Sequence, residues 1–177
     1  MTTRRAILSA GAIALASTAL SRGRVASAAS QSDAPGKAAG PASSSRDRFE
    51  ITYPEAEWRK RLTPDQFAVL RREGTERAFT SPLLHEKRKG TFVCAGCELD
   101  LFSSATKYES GTGWPSFWKP LTGAVGTRTD RLLGMPRTEV HCRRCGGHLG
   151  HVFDDGPRPT GLRYCMNGVA MKFRPVA

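Results

Sequence analysis

Thr138-Glu139-Val140-His141-Cys142-Arg143-Arg144-Cys145-Gly146-Gly147-His148-Leu149-Gly150-His151-Val152-Phe153 is the stretch on which the fold turns. Two short β-prone runs, 138–140 and 151–153, flank a C-x-x-C unit that is followed by two glycines. A second unit, Cys94-Ala95-Gly96-Cys97, stands upstream, with 44 residues between Cys97 and Cys142. Two thiolates at this spacing converge on one ion, and two such units complete a tetrahedral four-sulfur site. Glycine at 96 and at 146–147 permits the tight turns that such knuckles need. The intervening segment is too long for a local zinc ribbon. One structural zinc ion held by Cys94, Cys97, Cys142 and Cys145 would therefore pin together two remote segments of the sheet. In an oxidising compartment the same four can instead form disulfides, and a single pair can act as a redox dithiol. A shared ion is more economical, because disulfides closing such short loops gain little from loop closure. His141, beside Cys142, is an alternative ligand.

Working outward, other short runs with aromatic or β-branched residues are separated by Gly, Pro and Asp. They are Thr91-Phe92-Val93, Ala124 to Thr129, Leu162 to Met166 and Val169 to Phe173. With 138–140 and 151–153 they read as short antiparallel strands. Upstream, Thr63-Pro64-Asp65-Gln66 predicts a helix start: Thr63 caps, Pro64 suits the first position and Gln66 completes a capping box. Phe67 and Leu70 follow at helical spacing, Gly74 stops the helix, and Ser81-Pro82 marks a turn. The expected fold is mainly β, all-β or α+β, with a short helical lead-in.

The N-terminus reads as an address. Arg4-Arg5 precede a mildly apolar stretch from Ala6 to Leu20, and Ala26-Ser27-Ala28 is a small-residue cleavage site. That is the layout of a secretory signal peptide. The arginine pair points to the twin-arginine route, which exports folded proteins and suits a chain that loads a metal first. A mitochondrial transit peptide is the alternative. The apolar stretch is too short for a confident membrane span, which needs about 20 residues. Three parts are expected: a signal peptide over 1–28, a disordered linker over 29–48 rich in Ala, Ser, Gly and Pro, and a folded domain over 49–177. The mature protein is expected to be exported, periplasmic or extracytoplasmic, with no stable membrane span.

The chain of 177 residues carries a formal charge of +11, part of which lies in that leader. Without Arg4, Arg5, Arg22 and Arg24, 23 basic residues face 16 acidic ones, a balance of +7. The basic residues are scattered and no nucleic-acid motif is present, so the balance reads as a solvated surface rather than a nucleic-acid site.

The fifth cysteine lies in Leu162-Arg163-Tyr164-Cys165-Met166-Asn167-Gly168. In a strand, Arg163, Cys165 and Asn167 share one face. A cation beside a thiol raises its ionised fraction. His148 and His151 can supply and orient a proton near neutral pH, or serve structure alone. Asp154-Asp155-Gly156-Pro157 reads first as a turn. Gly111-Thr112-Gly113-Trp114-Pro115-Ser116-Phe117-Trp118 is a glycine-rich loop whose aromatics can wall a pocket for an apolar methyl group or pack in the core.

As a set these residues resemble one family. Residues 110–117, 137–140, 147–153 and 163–167, with both C-x-x-C units, are similar to the type B methionine sulfoxide reductases, from about Tyr53 to Phe173 and in the family's order. The resemblance implies two antiparallel sheets with zinc far from the active centre. It implies reduction of the R epimer of methionine sulfoxide in peptides and proteins, without an organic cofactor. By it Cys165 attacks the sulfoxide sulfur and becomes a sulfenic acid. His148, His151 and Asn167 bind and protonate the oxygen through direct or water-mediated contacts, and Trp114 packs on the methyl group. Arg163 favours the thiolate, and Asp155 orients the histidines. Many members carry a resolving cysteine in the glycine-rich loop, where this chain has Thr112. Regeneration by a thioredoxin-like protein or another external thiol is therefore expected, with oxidised proteins as substrates and the chain acting as a monomer. Two other readings are a zinc-stapled, non-catalytic binding module for an acidic partner, and a thiol–disulfide oxidoreductase using one C-x-x-C pair.

Overall fold

The structure, a computed structural model, describes residues 49–131 and 134–176. The expected signal peptide (1–28) and linker (29–48) lie outside the described residues. Helix α1 (Glu55–Arg61) has Glu55 and Glu57 in its first turn and Arg59, Lys60 and Arg61 in its last, the charge order that complements the helix dipole. It buries one large side chain, Trp58. With a single apolar anchor in seven residues it leaves no periodic trace in the sequence. Helix α2 (Pro64–Arg72) starts as expected. The Gln66 amide donates to Thr63 Oγ1 at 3.2 Å, and the Thr63 amide donates to Gln66 Oε1 at 3.1 Å. Its stop comes one residue before the glycine, at Glu73, which takes the left-handed conformation with φ of 57°. Phe67, Val69 and Leu70 face the core. The Ser81-Pro82 turn is a 3-10 turn over Pro82–His85, with Ser81 Oγ accepting from the Leu83 amide.

Among the described residues nine strands follow: β1 (Gly90–Cys94), β2 (Asp100–Ser103), β3 (Lys107–Tyr108), β4 (Ser116–Phe117), β5 (Val125–Asp130), β6 (Arg137–Cys142), β7 (His148–Phe153), β8 (Arg163–Met166) and β9 (Met171–Pro175). Each of the six expected runs overlaps one of them. β2, β3 and β4 were not expected. β3 and β4 are two residues long and carry no pattern, and β2 opens on Asp100. The strands form two antiparallel sheets, in order β2-β1-β9 and β3-β4-β8-β7-β6-β5. An aromatic stack joins them. Phe92 of β1 and Phe102 of β2 meet Phe117 of β4 with ring centroids 4.9 and 4.4 Å apart. All three rings are fully buried, and truncating one such ring costs about 3–5 kcal/mol. Leu149, Val140 and Met166 complete the core on the larger sheet. Among the described residues no helix is long and apolar enough to cross a membrane.

Candidate active site and metal centre

The first knuckle leaves the end of β1 and the second leaves the end of β6, so the four cysteines join one strand of each sheet rather than two segments of a single sheet. Both turns are closed alike, by Glu98 N–H to Cys94 O at 2.8 Å and Gly146 N–H to Cys142 O at 2.9 Å. The residue after each pair has positive φ, 61° at Glu98 and 66° at Gly146. Gly146 thus has the expected role, while in the first knuckle Glu98 does this work and not Gly96. The sulfurs of Cys94, Cys97, Cys142 and Cys145 all lie within 4.8 Å of one another. Cys94 to Cys145 is 3.7 Å and Cys97 to Cys142 is 3.5 Å. A tetrahedron with Zn–S bonds near 2.3 Å has edges of roughly 3.8 Å, whereas a disulfide needs about 2.05 Å. The four thiols therefore fit one zinc ion and not two disulfides. Without an ion they would share protons: hydrogen bonding with Cys142 pushes the Cys94 thiol far up and pulls Cys97 down.

Cys165 sits on β8, in the middle of the larger sheet. The register places it opposite Ser116 on one side and His151 on the other. His151 in turn faces Glu139, and Glu139 faces Arg128. Paired residues of antiparallel strands share a face, so these five form one row across the sheet. His148 and His151 are three apart and would ordinarily point to opposite faces. A bulge corrects this: His148 pairs with His141 while Gly150 pairs with Val140, which leaves Leu149 as the extra residue. The bulge turns both imidazoles to the Cys165 face, with ring centroids 5.4 Å apart, a use of bulges common beside active sites.

A carboxylate stands behind each histidine. Glu139 Oε1 is 2.8 Å from His148 Nδ1, and Asp130 Oδ2 is 2.8 Å from His151 Nε2. Each carboxylate also meets an arginine, Arg128 at Glu139 and Arg137 at Asp130. Burial alone would raise the Glu139 pKa, but hydrogen bonds from His148 and Arg128 outweigh it and hold the carboxyl below the usual range. An ionised carboxylate accepts, so His148 carries its proton on Nδ1 and His151 on Nε2 when neutral. His148 Nε2 and His151 Nδ1 are left as acceptors. His148 Nε2 is buried with no hydrogen-bond partner. Burial also pushes the His151 pKa down, against the pull of Asp130.

A small cleft of about 130 Å³ gathers Cys165, His151, Asn167 and Trp114, with Thr75, Arg137, Gly150 and Phe153. His148, 2 % exposed, lies behind His151 rather than on its wall. Arg163 shares the Cys165 face and stacks over Phe153 at 4.3 Å. Asp155 departs from expectation: it orients neither histidine. Its two oxygens each accept from Arg163 at 2.8 Å, because β8 brings Arg163 to the turn that carries Asp155. Asp130 and Glu139 do the orienting instead. Sequence reasoning also missed Glu76. The Glu76 amide donates to Asn167 Oδ1 at 2.9 Å, and the Glu76 carbonyl accepts from Trp114 Nε1 at 3.2 Å. Its carboxylate accepts from the amides of Gly168 and Val169 at 2.5 and 2.9 Å. One residue thus ties Trp114 to Asn167, and no motif near Glu76 announces it. Asn167 Nδ2 donates to Leu149 O at 3.1 Å, which leaves its second N–H for a ligand. A larger groove of about 730 Å³ between α2 and the 74–83 segment contains no cysteine or histidine.

A protein-family model described as the SelR domain matches residues 62–175. The chain is 56% identical over 127 residues to the peptide methionine sulfoxide reductase MsrB of Leptospira interrogans serogroup Icterohaemorrhagiae serovar Lai, covering 71% of this chain and 97% of that protein. It is 52% identical over 128 residues to the MsrB of Agrobacterium fabrum, covering 72% and 95%. It is 54% identical over 121 residues to that of Methanosarcina barkeri, covering 68% and 85%. The match takes in both cysteine knuckles, the bulged histidine strand and Cys165, and the chain belongs to the SelR-domain family, that of the type B methionine sulfoxide reductases.

Proposed function

We propose that the chain reduces methionine R-sulfoxide in peptides and proteins to methionine, with Cys165 as the nucleophile. The observation that carries this is the single cleft in which the one thiol outside the metal site meets His151, Asn167 and Trp114. The Cys165 sulfur attacks the sulfoxide sulfur. His151 Nδ1, once protonated, and the spare N–H of Asn167 bind and protonate the oxygen, and His148, behind His151, assists through a water-mediated contact. The S–O bond breaks and the oxygen passes to Cys165. The sulfoxide is reduced by two electrons to methionine and leaves, and Cys165 is oxidised to a sulfenic acid. An external thiol then attacks that sulfur, releasing water and forming a mixed disulfide. A second thiol completes the reduction and returns Cys165. Trp114, fixed through Glu76, packs on the substrate methyl group. Arg163 supports the thiolate and is itself steadied by Asp155. Zinc on the four knuckle cysteines joins the two sheets and takes no part in the redox step.

Supporting the external route, each of the other four cysteines belongs to the metal cluster, and Thr112 stands beside Cys165. The donor is a thioredoxin-like protein or another dithiol, and the chain works as a monomer. Residues 1–28 act as a twin-arginine signal and 29–48 as a linker, so the mature domain, 49–177, works outside the cytoplasm; the paired arginines, the apolar stretch and the Ala26-Ser27-Ala28 site support this. Mass spectrometry of the zinc-loaded enzyme after reaction with a peptide R-sulfoxide tests the route. A dimedone-reactive sulfenic acid on Cys165 is expected, and a stoichiometric intramolecular disulfide involving Cys165 would contradict it. A Cys165→Ser variant should keep its zinc and lose turnover, which separates a reductase from a zinc-stapled binding module.

A further inference from the structure

This inference rests on the reading of Cys165 as the nucleophile. Thr112 Oγ1 lies 3.7 Å from Cys165 Sγ. It also lies 2.8 Å from Ser110 Oγ, which lies 2.7 Å from Ser116 Oγ. Ser116 Oγ reaches the Trp114 carbonyl oxygen at 3.1 Å. An unbroken chain of hydroxyls therefore runs from the sulfur to a backbone carbonyl, and its Ser116 end is fully buried.

Each hydroxyl owns one proton, so the chain runs in one direction at a time. A carbonyl can only accept. With Cys165 as a thiol, S–H donates to Thr112, Thr112 to Ser110, Ser110 to Ser116 and Ser116 to the carbonyl, and all four bonds are made. A thiolate can also only accept. When Cys165 ionises, its proton leaves to water in the cleft. Thr112 must then turn its proton to the sulfur, Ser110 turns to Thr112 and Ser116 to Ser110. No O–H bond breaks; only the rotors turn. The thiolate gains a charge-assisted bond, about twice as strong as a neutral one. The Trp114 carbonyl loses its donor.

We propose that Ser110, Thr112 and Ser116 form a reversible hydroxyl relay that sets the ionisation of Cys165. Thr112 is the catalytic residue that touches the sulfur. Ser110 and Ser116 are positioning residues, which favour the thiol by drawing the Thr112 proton towards the carbonyl. The two ends of the relay therefore act in opposite directions. Removing the Thr112 hydroxyl deprives the thiolate of a donor. Removing Ser110 frees Thr112 to face the sulfur without the loss of a bond elsewhere. The other titratable or charged groups facing the sulfur are His151 from β7, Arg163 with Asp155 on the β8 side, Tyr108 from β3 and Arg137 across the cleft. None is altered in these variants.

The test is the rate of Cys165 alkylation by iodoacetamide against pH, in the full zinc-loaded chain. At pH 7, Ser110→Ala should react about 3- to 10-fold faster than the parent, the scale of one neutral hydrogen bond, with its midpoint moved down. Thr112→Val should react more slowly, with its midpoint moved up, and Thr112→Ser should restore the parent profile. In the Thr112→Val background the Ser110→Ala change should have no effect, because Ser110 acts only through Thr112. An unshifted or raised midpoint in Ser110→Ala, or a shift that survives in the double variant, overturns the relay. Alkylation needs no turnover. Absence of R-sulfoxide reduction by the parent would defeat the nucleophile reading, whereas normal reduction with an unshifted Ser110→Ala midpoint would defeat the relay alone.

Discussion

His151 stands directly opposite Cys165 across the β7–β8 pairing. The relative position of imidazole and sulfur is therefore set by backbone register, a stiffer device than two side chains reaching from loops. The same register continues through Glu139 and Arg128 on one side and Ser116 on the other. Whatever shifts β7 against β8 shifts the chemistry.

Gly150 is where that register is most exposed to change. Its φ of 155° and the Cys165 carbonyl oxygen, against which a Cβ would press, leave no place for a side chain. Gly150→Ala should lose about 2 kcal/mol or more in denaturant unfolding, from backbone strain and the displaced strand. Turnover should fall further than stability explains. A variant of parental stability and turnover would show that the pairing is not needed.

Glu139 is buried and holds His148 by Nδ1. Glu139→Gln keeps the shape but removes the charge that fixes the tautomer. Supporting groups of this kind are worth about 10- to 100-fold, and kcat should fall on that scale with the zinc content unchanged. The measurement is steady-state kinetics with metal analysis; unchanged kcat would remove Glu139 from the account.

The pH dependence of stability follows from His151. Burial lowers its pKa below the ordinary value of about 6.5, so the folded chain takes up this proton less readily than the unfolded chain. The stability tied to neutral His151 is complete above about pH 6.5 and is lost as pH falls towards the folded value. Thermal melts of the parent should drop more steeply between pH 7 and 5 than those of His151→Gln. Parallel slopes would contradict this.

The second knuckle is also the turn between β6 and β7, from Cys142 to His148. Removing zinc should loosen both the link between sheets and the register that aims the histidines. Chelation under mild denaturant, or Cys94→Ser, should lower the melting temperature and abolish turnover together, since structural zinc sites contribute on the order of 10 kcal/mol. A zinc-free chain that melts as before would refute the structural role.

The sequence made legible whatever repeated or clustered locally. Both knuckles, the capped helix α2 and six β-prone runs could be read because C-x-x-C spacing, capping boxes and strand composition act over a few residues. The sheet assignment of the knuckles could not, since nothing local says that Cys94 and Cys142 end strands of different sheets. The residues behind the histidines were hidden for a similar reason. Asp130 and Glu139 reach His151 and His148 across strand pairings, and Asp155, nearer to them in sequence, proved to serve Arg163. The parity of His148 and His151 depended on a bulge at Leu149, which is decided by pairing with β6 and not by local sequence.

The most direct test of the central claim is turnover on separated R and S epimers of a peptide methionine sulfoxide, with a dithiol reductant and the zinc-loaded enzyme beside its Cys165→Ser variant. Reduction of the R epimer by the parent alone is expected. Reduction of the S epimer only, of neither epimer, or of the R epimer by the Cys165→Ser variant would contradict it.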